Sequence, residues 1–191
     1  MKGFIFGIIV AIIAIAAGVY FYFDTGRAPV ATSAQPMPFE KMLAKKAQHA
    51  RIESEMPKTV PITADAAADA GGAQVYRDNC AVCHGLPGQP QSHIAAGEYP
   101  PPPQLFHGKG VTDDPAGETY WKAENGLRLT GMPGFGKSLS TTQLWQVSLL
   151  LANADKLPAD VQQALAVPLQ AAPAQPAPPE PPAAKRRTRR R

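Results

Sequence analysis

The densest chemistry in the chain lies in five consecutive residues, Cys80-Ala81-Val82-Cys83-His84, which contain both of its cysteines and one of its four histidines. The thiols are about one helical turn apart, so both can reach the two vinyl groups along one edge of a porphyrin. The next residue can then turn its imidazole under the iron. This is the attachment pattern of haem c, with His84 as one axial ligand. Three other uses of these residues fit less well. A thioredoxin-like redox pair calls for a βαβ setting, and no strand-helix-strand pattern surrounds Cys80. A structural disulfide is sterically allowed but leaves His84 unexplained. A zinc site lacks ligands, because thirteen residues separate His93 from His107 where a zinc finger has three to five.

The elements that must position this group occupy only part of the 191 residues. Apolar residues concentrate at the extreme N-terminus and between about residues 65 and 157, while 13 of the 21 prolines lie outside that middle stretch. A core of about ninety residues buries a modest share of its surface, and domains of that size often depend on a bound group. A haem would supply a large apolar body to fold around. The formal charge of +4 misleads, because Lys185, Arg186, Arg187, Arg189, Arg190 and Arg191 fall within the last seven residues. Without them 13 basic residues face 15 acidic ones. The basic character belongs to a tail, so no globular nucleic-acid-binding face is expected.

Residues 4 to 23 form an uncharged apolar run of twenty, which as a helix spans about 30 Å of hydrocarbon. A cleaved secretory signal competes with this reading, since Lys2 supplies a positive start and Ala14-Ile15-Ala16 a small-residue cleavage pattern. The length of the run and the rings of Tyr20 to Phe23, placed as an interfacial belt, favour retention as an anchor over residues 1–23. Either way the rest of the chain is exported.

Residues 24–64 hold Pro29, Pro36, Pro38, Pro57 and Pro61 and read as a spacer. Within it a short exposed helix is expected over Phe39 to Met56. As a flexible coil, the spacer would reach roughly 35 Å. Residues 65–157 read as the globular domain. From Pro158 to Arg191 the Ala-Pro-Gln-rich composition predicts a disordered tail.

Inside the domain, Asp114-Pro115 predicts a helix start, with Asp114 as N-cap and proline at the first helical position, and Asn125-Gly126 predicts its end. Tyr120, Trp121 and Leu127 are its expected buried side chains. Ser140-Thr141-Thr142-Gln143 is a capping-box pattern opening a last helix through Leu144, Trp145, Val147, Leu149, Leu150 and Leu151.

With these motifs in this order, residues 68 to 157 resemble the class I cytochromes c, here of the membrane-anchored bacterial type. The resemblance implies an all-α fold, a small class I cytochrome c fold around one covalent haem c, preceded by a single transmembrane helix. It implies that Gly72 and Tyr76 pack the first helix against the last, near Trp145 or Ser148. It implies a sixth ligand from Met132 in Gly131-Met132-Pro133-Gly134-Phe135. The other four methionines all precede the haem motif. A bis-His alternative would recruit His93 or His107, both expected on the surface. In the family a prolyl carbonyl holds the axial histidine, a role that falls to Pro103 in Pro100-Pro101-Pro102-Pro103-Gln104-Leu105. Leu105 would pack on the haem face, and Arg128 would contact a propionate.

A six-coordinate His-Met iron has no open position and suits outer-sphere electron transfer. The expected function is therefore a membrane-tethered electron carrier rather than an enzyme. It would sit in the cytoplasmic membrane with its haem domain on the periplasmic side. The resemblance implies a quinol-oxidising cytochrome complex, a terminal oxidase or a dehydrogenase as redox partners. Two alternatives are a fixed haem c subunit of a larger dehydrogenase or terminal oxidase complex, and a haem peroxidase or gas sensor. The basic tail could meet anionic lipid or an acidic partner.

Overall fold

The computed structural model describes residues 2–106 and 114–169, and all regular elements among them are helical. The first, α1 (Lys2–Asp24), contains no proline and buries none of its side chains against the rest of the chain. At 23 residues it is about 34 Å long, and its composition makes it a candidate membrane span. Gly26, at φ 68°, ends it in a left-handed turn, and Thr25 donates to the Phe21 carbonyl through both its N–H, at 3.0 Å, and its Oγ1, at 2.7 Å.

Between this helix and the domain, the chain is more ordered than the spacer expected over residues 24–64. Lysine, alanine, glutamate and leucine are strong helix formers and build α2 (Glu40–Glu55), which stops ahead of Pro57. Its second half is docked rather than exposed. Ile52 and Met56 are buried, the Trp121 indole donates to Glu55 at 3.2 Å, and the Pro57 carbonyl closes on Gly117, where any side chain would collide with it. Composition hid this because the docking rests on a few apolar residues at one end of a polar helix.

The domain itself is framed by two crossing helices. α3 (Ala66–Val75) starts at Asp65, whose carboxylate accepts the Ala68 N–H at 2.8 Å. It crosses α7 (Thr141–Ala152) at Gly72, where a Cβ would strike the Gln146 carbonyl and sit 2.9 Å from Leu150 Cβ. The expectation of Trp145 or Ser148 at this crossing is thereby corrected. Gln146 and Leu150 lie there, while Ser148 turns its hydroxyl back to the Leu144 carbonyl at 2.7 Å. Trp145 points away, into a second cluster, stacked on Tyr120 with ring centroids 4.3 Å apart. Both halves of the expected capping box form at Ser140 and Gln143.

The helix between them, α6 (Ala116–Asn125), begins one residue later than expected, with Pro115 as its N-cap. Asp114 instead pairs with Lys122 at 3.2 Å. Tyr120 is buried as expected, whereas Trp121 faces α2 and Leu127 is only half-buried. Two short helices, α4 (Ala81–His84) and α5 (His93–Gly97), carry the attachment motif and the segment after it.

The fold also runs past residue 157. α8 (Ala159–Ala166) lies on α3 and buries Val161 and Leu165. Arg77 donates to the Ala164 and Val167 carbonyls at 2.7 and 2.6 Å, satisfying the end of the helix. The disorder expected from Pro158 onward is thus corrected as far as residue 167. Alanine and proline richness masked two apolar residues at helical spacing. The rest of the expected tail, from residue 170, lies outside the described residues.

Where α8 meets α3, Asp69 carries a buried carboxylate oxygen with no hydrogen-bond partner. Burial raises its pKa, helped by the charges of Asp65 and Asp160. A carboxylate raised on folding stabilises the fold at low pH and loses that contribution as pH rises through its folded value. Asp69→Asn is therefore expected to stabilise the fold at neutral pH, and so raise the melting temperature, by well under about 1 kcal/mol of free energy after solvent screening. The gain should vanish in acid, where the native residue is itself neutral. A gain that persists unchanged to low pH in thermal melts would contradict this origin.

Candidate functional site

The attachment motif is aimed by a local irregularity. Between α3 and α4 the chain makes one π-helical turn, Tyr76–Cys80, closed by the Ala81 N–H donating to the Tyr76 carbonyl. The extra residue widens the turn and redirects everything after it. Tyr76 anchors this turn in the main core. It is fully buried, its ring stands edge-on to Phe106 at 4.9 Å, and its hydroxyl donates to the Gly85 carbonyl at 2.7 Å. One side chain thus ties α3 to the residue immediately after His84.

Both cysteines are free thiols. Burial pushes the Cys80 thiol up to about 12. Burial also raises Cys83, and its Sγ–H donates to Glu98 Oε1 at 3.3 Å. Both are therefore held as neutral thiols, the protonation state from which an S–H adds across a carbon-carbon double bond.

His84 Nδ1 lies 2.8 Å from the Pro103 carbonyl. A carbonyl can only accept, so Nδ1 carries the proton and Nε2 keeps its lone pair. Burial lowers the pKa of His84, outweighing the opposing effects of the Pro103 hydrogen bond and the Glu98 charge, and so favours the neutral ring. Such a bond fixes ring orientation and raises the basicity of the free nitrogen.

The Met132 loop is held by backbone bonds to the end of α6. Phe135 and Gly136 donate to the Ala123 and Glu124 carbonyls at 2.8 and 3.0 Å, and Leu127 donates to the Met132 carbonyl at 3.2 Å. Thr130 Oγ1 accepts the Met132 N–H at 3.1 Å. Gly126, expected as a left-handed cap, has φ 70° but ψ −178°, a conformation open only to glycine. A Cβ there would lie 2.5 Å from Gly134 N and 2.9 Å from the Met132 carbonyl. Glycine lets the methionine loop close against the helix.

Glu98 links the two sides. Besides accepting from Cys83, its carboxylate lies in direct contact with Gly131, next to Met132. The sequence offered no signal for it, because a single acid between a short helix and a proline run looks like surface. Gln104 was also missed. Its amide covers Gly85, where an added Cβ would lie 2.8 Å from it, and its Nε2 is buried without a partner. Among the other expected residues, Leu105 packs half-buried against the main core beside Cys80. Arg128 is exposed, and no hydrogen bond or ion pair joins it to the residues above. His93 opens α5 on the surface, and His107 lies outside the described residues.

The donor set fits a haem. It offers two neutral thiols on one turn, an imidazole nitrogen freed by its neighbour's hydrogen bond, and a thioether on a glycine-shaped loop tied back to the thiols through Glu98. Such a donor set is what a haem-carrying electron-transfer protein would present. Residues 67–149 match the family model described as cytochrome C oxidase, cbb3-type, subunit III. This segment is thus similar to cytochrome c domains, whose cofactor is haem c. A chain of the Kuenenia stuttgartiensis reducing HAO-like protein complex is 22% identical, over 53% of this chain and 52% of that one, with a TM-score of 0.44. This chain thus spans about half of that structure's length. No curated protein matches.

Proposed function

We propose that the chain is a membrane-tethered carrier of single electrons, using one haem c bound covalently through Cys80 and Cys83 and ligated axially by His84 and Met132. The observation that carries this reading is the 2.8 Å contact from His84 Nδ1 to the Pro103 carbonyl, which leaves Nε2 as a ligand beside two neutral thiols. When bound, the haem supplies one-electron redox chemistry. The chain's own residues attach it, keep Nδ1 protonated, and close both axial positions so that no substrate reaches the iron. Weak, transient redox encounters use small interfaces, and tethering raises the effective concentration for partners at the same membrane. Those partners would be a quinol-oxidising cytochrome complex and a terminal oxidase or dehydrogenase, on the periplasmic side of the cytoplasmic membrane.

The full chain, made alongside haem c maturation machinery, should retain one haem through acid denaturation, on the peptide containing Cys80 to His84. Cys80→Ser/Cys83→Ser should retain none. Intact mass of the native chain without a haem adduct would overturn the proposal. A second reading, a fixed haem c subunit of a larger complex, is supported by the match to a family described as an oxidase subunit. Gentle solubilisation separates the two: a carrier migrates alone, while a fixed subunit brings its complex with it.

A further inference from the structure

The two halves of α2 differ in what covers them. The second half is fixed to the domain through Ile52, Met56 and the Trp121–Glu55 hydrogen bond. At its start, Phe39, Met42 and Leu43 are 71%, 56% and 58% exposed. Their i, i+3, i+4 spacing places them on one stripe, roughly 110° around the helix from the face that buries Ile52 and Met56 at 100° per residue. Lys46 falls within this stripe and Lys45 and Lys41 follow on one side of it; all three are exposed and form no ion pair among the described residues. Phe39 also has φ 64°, a left-handed conformation that is strained for a bulky side chain. The turn closes through the Met37 N–H donating to Glu40 Oε2 at 2.8 Å. A strained turn thus holds an aromatic ring out in solvent.

We infer that the first half of α2 lies in the headgroup region of an anionic bilayer, with Phe39, Met42 and Leu43 toward the acyl boundary and the three lysines on lipid phosphates. Charge complementarity selects this occupant, since exposed apolar side chains with unpaired lysines among and beside them are what an anionic lipid surface takes up. Position selects it too. Resting on the reading of α1 as a membrane span, only fifteen residues separate Asp24 from the start of α2. That connection is shortened by turns at Ala31–Ala34 and Met37–Glu40, so α2 starts near the surface.

Because the second half of α2 is rigid with the domain, lipid contact at its start sets the domain's orientation. Connection residues Val30, Gln35 and Pro36 line one groove with Tyr99 and Leu129. Leu129 stands three residues before Met132, so this orientation turns the methionine loop toward the membrane side. A partner embedded in the same bilayer would then meet that edge.

Hydrogen exchange on the full haem-loaded chain, in nanodiscs with and without phosphatidylglycerol, tests this directly. Exchange over residues 40–47 should slow about tenfold when the anionic lipid is present. Lys41→Glu/Lys45→Glu/Lys46→Glu and Phe39→Ser/Met42→Ser/Leu43→Ser should each abolish the slowing while residues 66–75 stay protected. Equal exchange in both nanodiscs, with α1 protected, would overturn the inference and leave the anchor standing. An unprotected α1 would overturn the anchor and the inference with it. Slowing that persists in detergent without lipid would assign the stripe to protein association and also overturn it.

Discussion

Met132→Ala is expected to open the iron while leaving the fold in place. The loop around Met132 is held by backbone groups, through Phe135 to Ala123, Gly136 to Glu124 and Leu127 to Met132, none of which uses the methionine side chain. Removing the thioether therefore acts on the iron more than on stability. Reduced protein should bind carbon monoxide rapidly and completely, where the native form binds it slowly or incompletely. Loss of the ligand that favours ferrous iron should also lower the reduction potential. The change should be on the order of 0.1–0.2 V, a fraction of the roughly 0.8 V that axial ligands span. Optical spectra and potentiometry read both effects. A mutant with native spectrum, native potential and native inertness to carbon monoxide would exclude Met132 as the sixth ligand. Rapid carbon monoxide binding by the native protein would instead favour a gas-binding or peroxidase reading.

Gly72→Val should be the most damaging single change in the helical frame. A Cβ at Gly72 meets the Gln146 carbonyl oxygen, with the Gln146 carbonyl carbon and Leu150 Cβ each at 2.9 Å. Two of these are backbone atoms of α7 and cannot move without breaking that helix. Overpacking of this kind costs about 3 kcal/mol, which for a domain of this size lowers the melting temperature by roughly 10–20 °C. Gly71 supplies the control. A Cβ there meets only the end of the Gln146 side chain, at 2.6–2.7 Å, which can rotate away. Gly71→Ala should be far milder. Equal melting temperatures for the two variants would show that the helices do not cross at Gly72.

These two residues also show how far the chemistry could be read in advance. Gly72 was recognised as a close-packing residue, and Met132 stood out as the one methionine after the motif, in a loop shaped by glycine and proline. Ser140 and Gln143 announced the start of α7 because a capping box is a local device, complete within four residues. The partners of Gly72 were misassigned, since one step in register along α7 decides whether Trp145 or Gln146 faces α3. Periodicity does not resolve such a step when the helix buries apolar residues on more than one side, as α7 does at Leu144, Trp145, Val147, Leu149, Leu150 and Leu151. Glu98, Gln104 and the docking of α2 and α8 were illegible for a related reason. Each depends on residues far apart in sequence, and none of the segments has a composition that advertises burial.

The sequence by itself determined what the chain can bind. Cys80, Cys83 and His84 are adjacent, their chemistry follows from covalent spacing, and a twenty-residue apolar run declares a candidate span wherever the domain folds. The tertiary structure decided how that chemistry is held. It selected the Pro103 carbonyl from four neighbouring prolines, inserted a π-helical turn ahead of the motif, closed the Met132 loop on Gly126, and set Glu98 between the two sides. Covalent patterns are written in neighbouring residues and survive any fold. Hydrogen-bond partners and close approaches exist only once distant segments have packed.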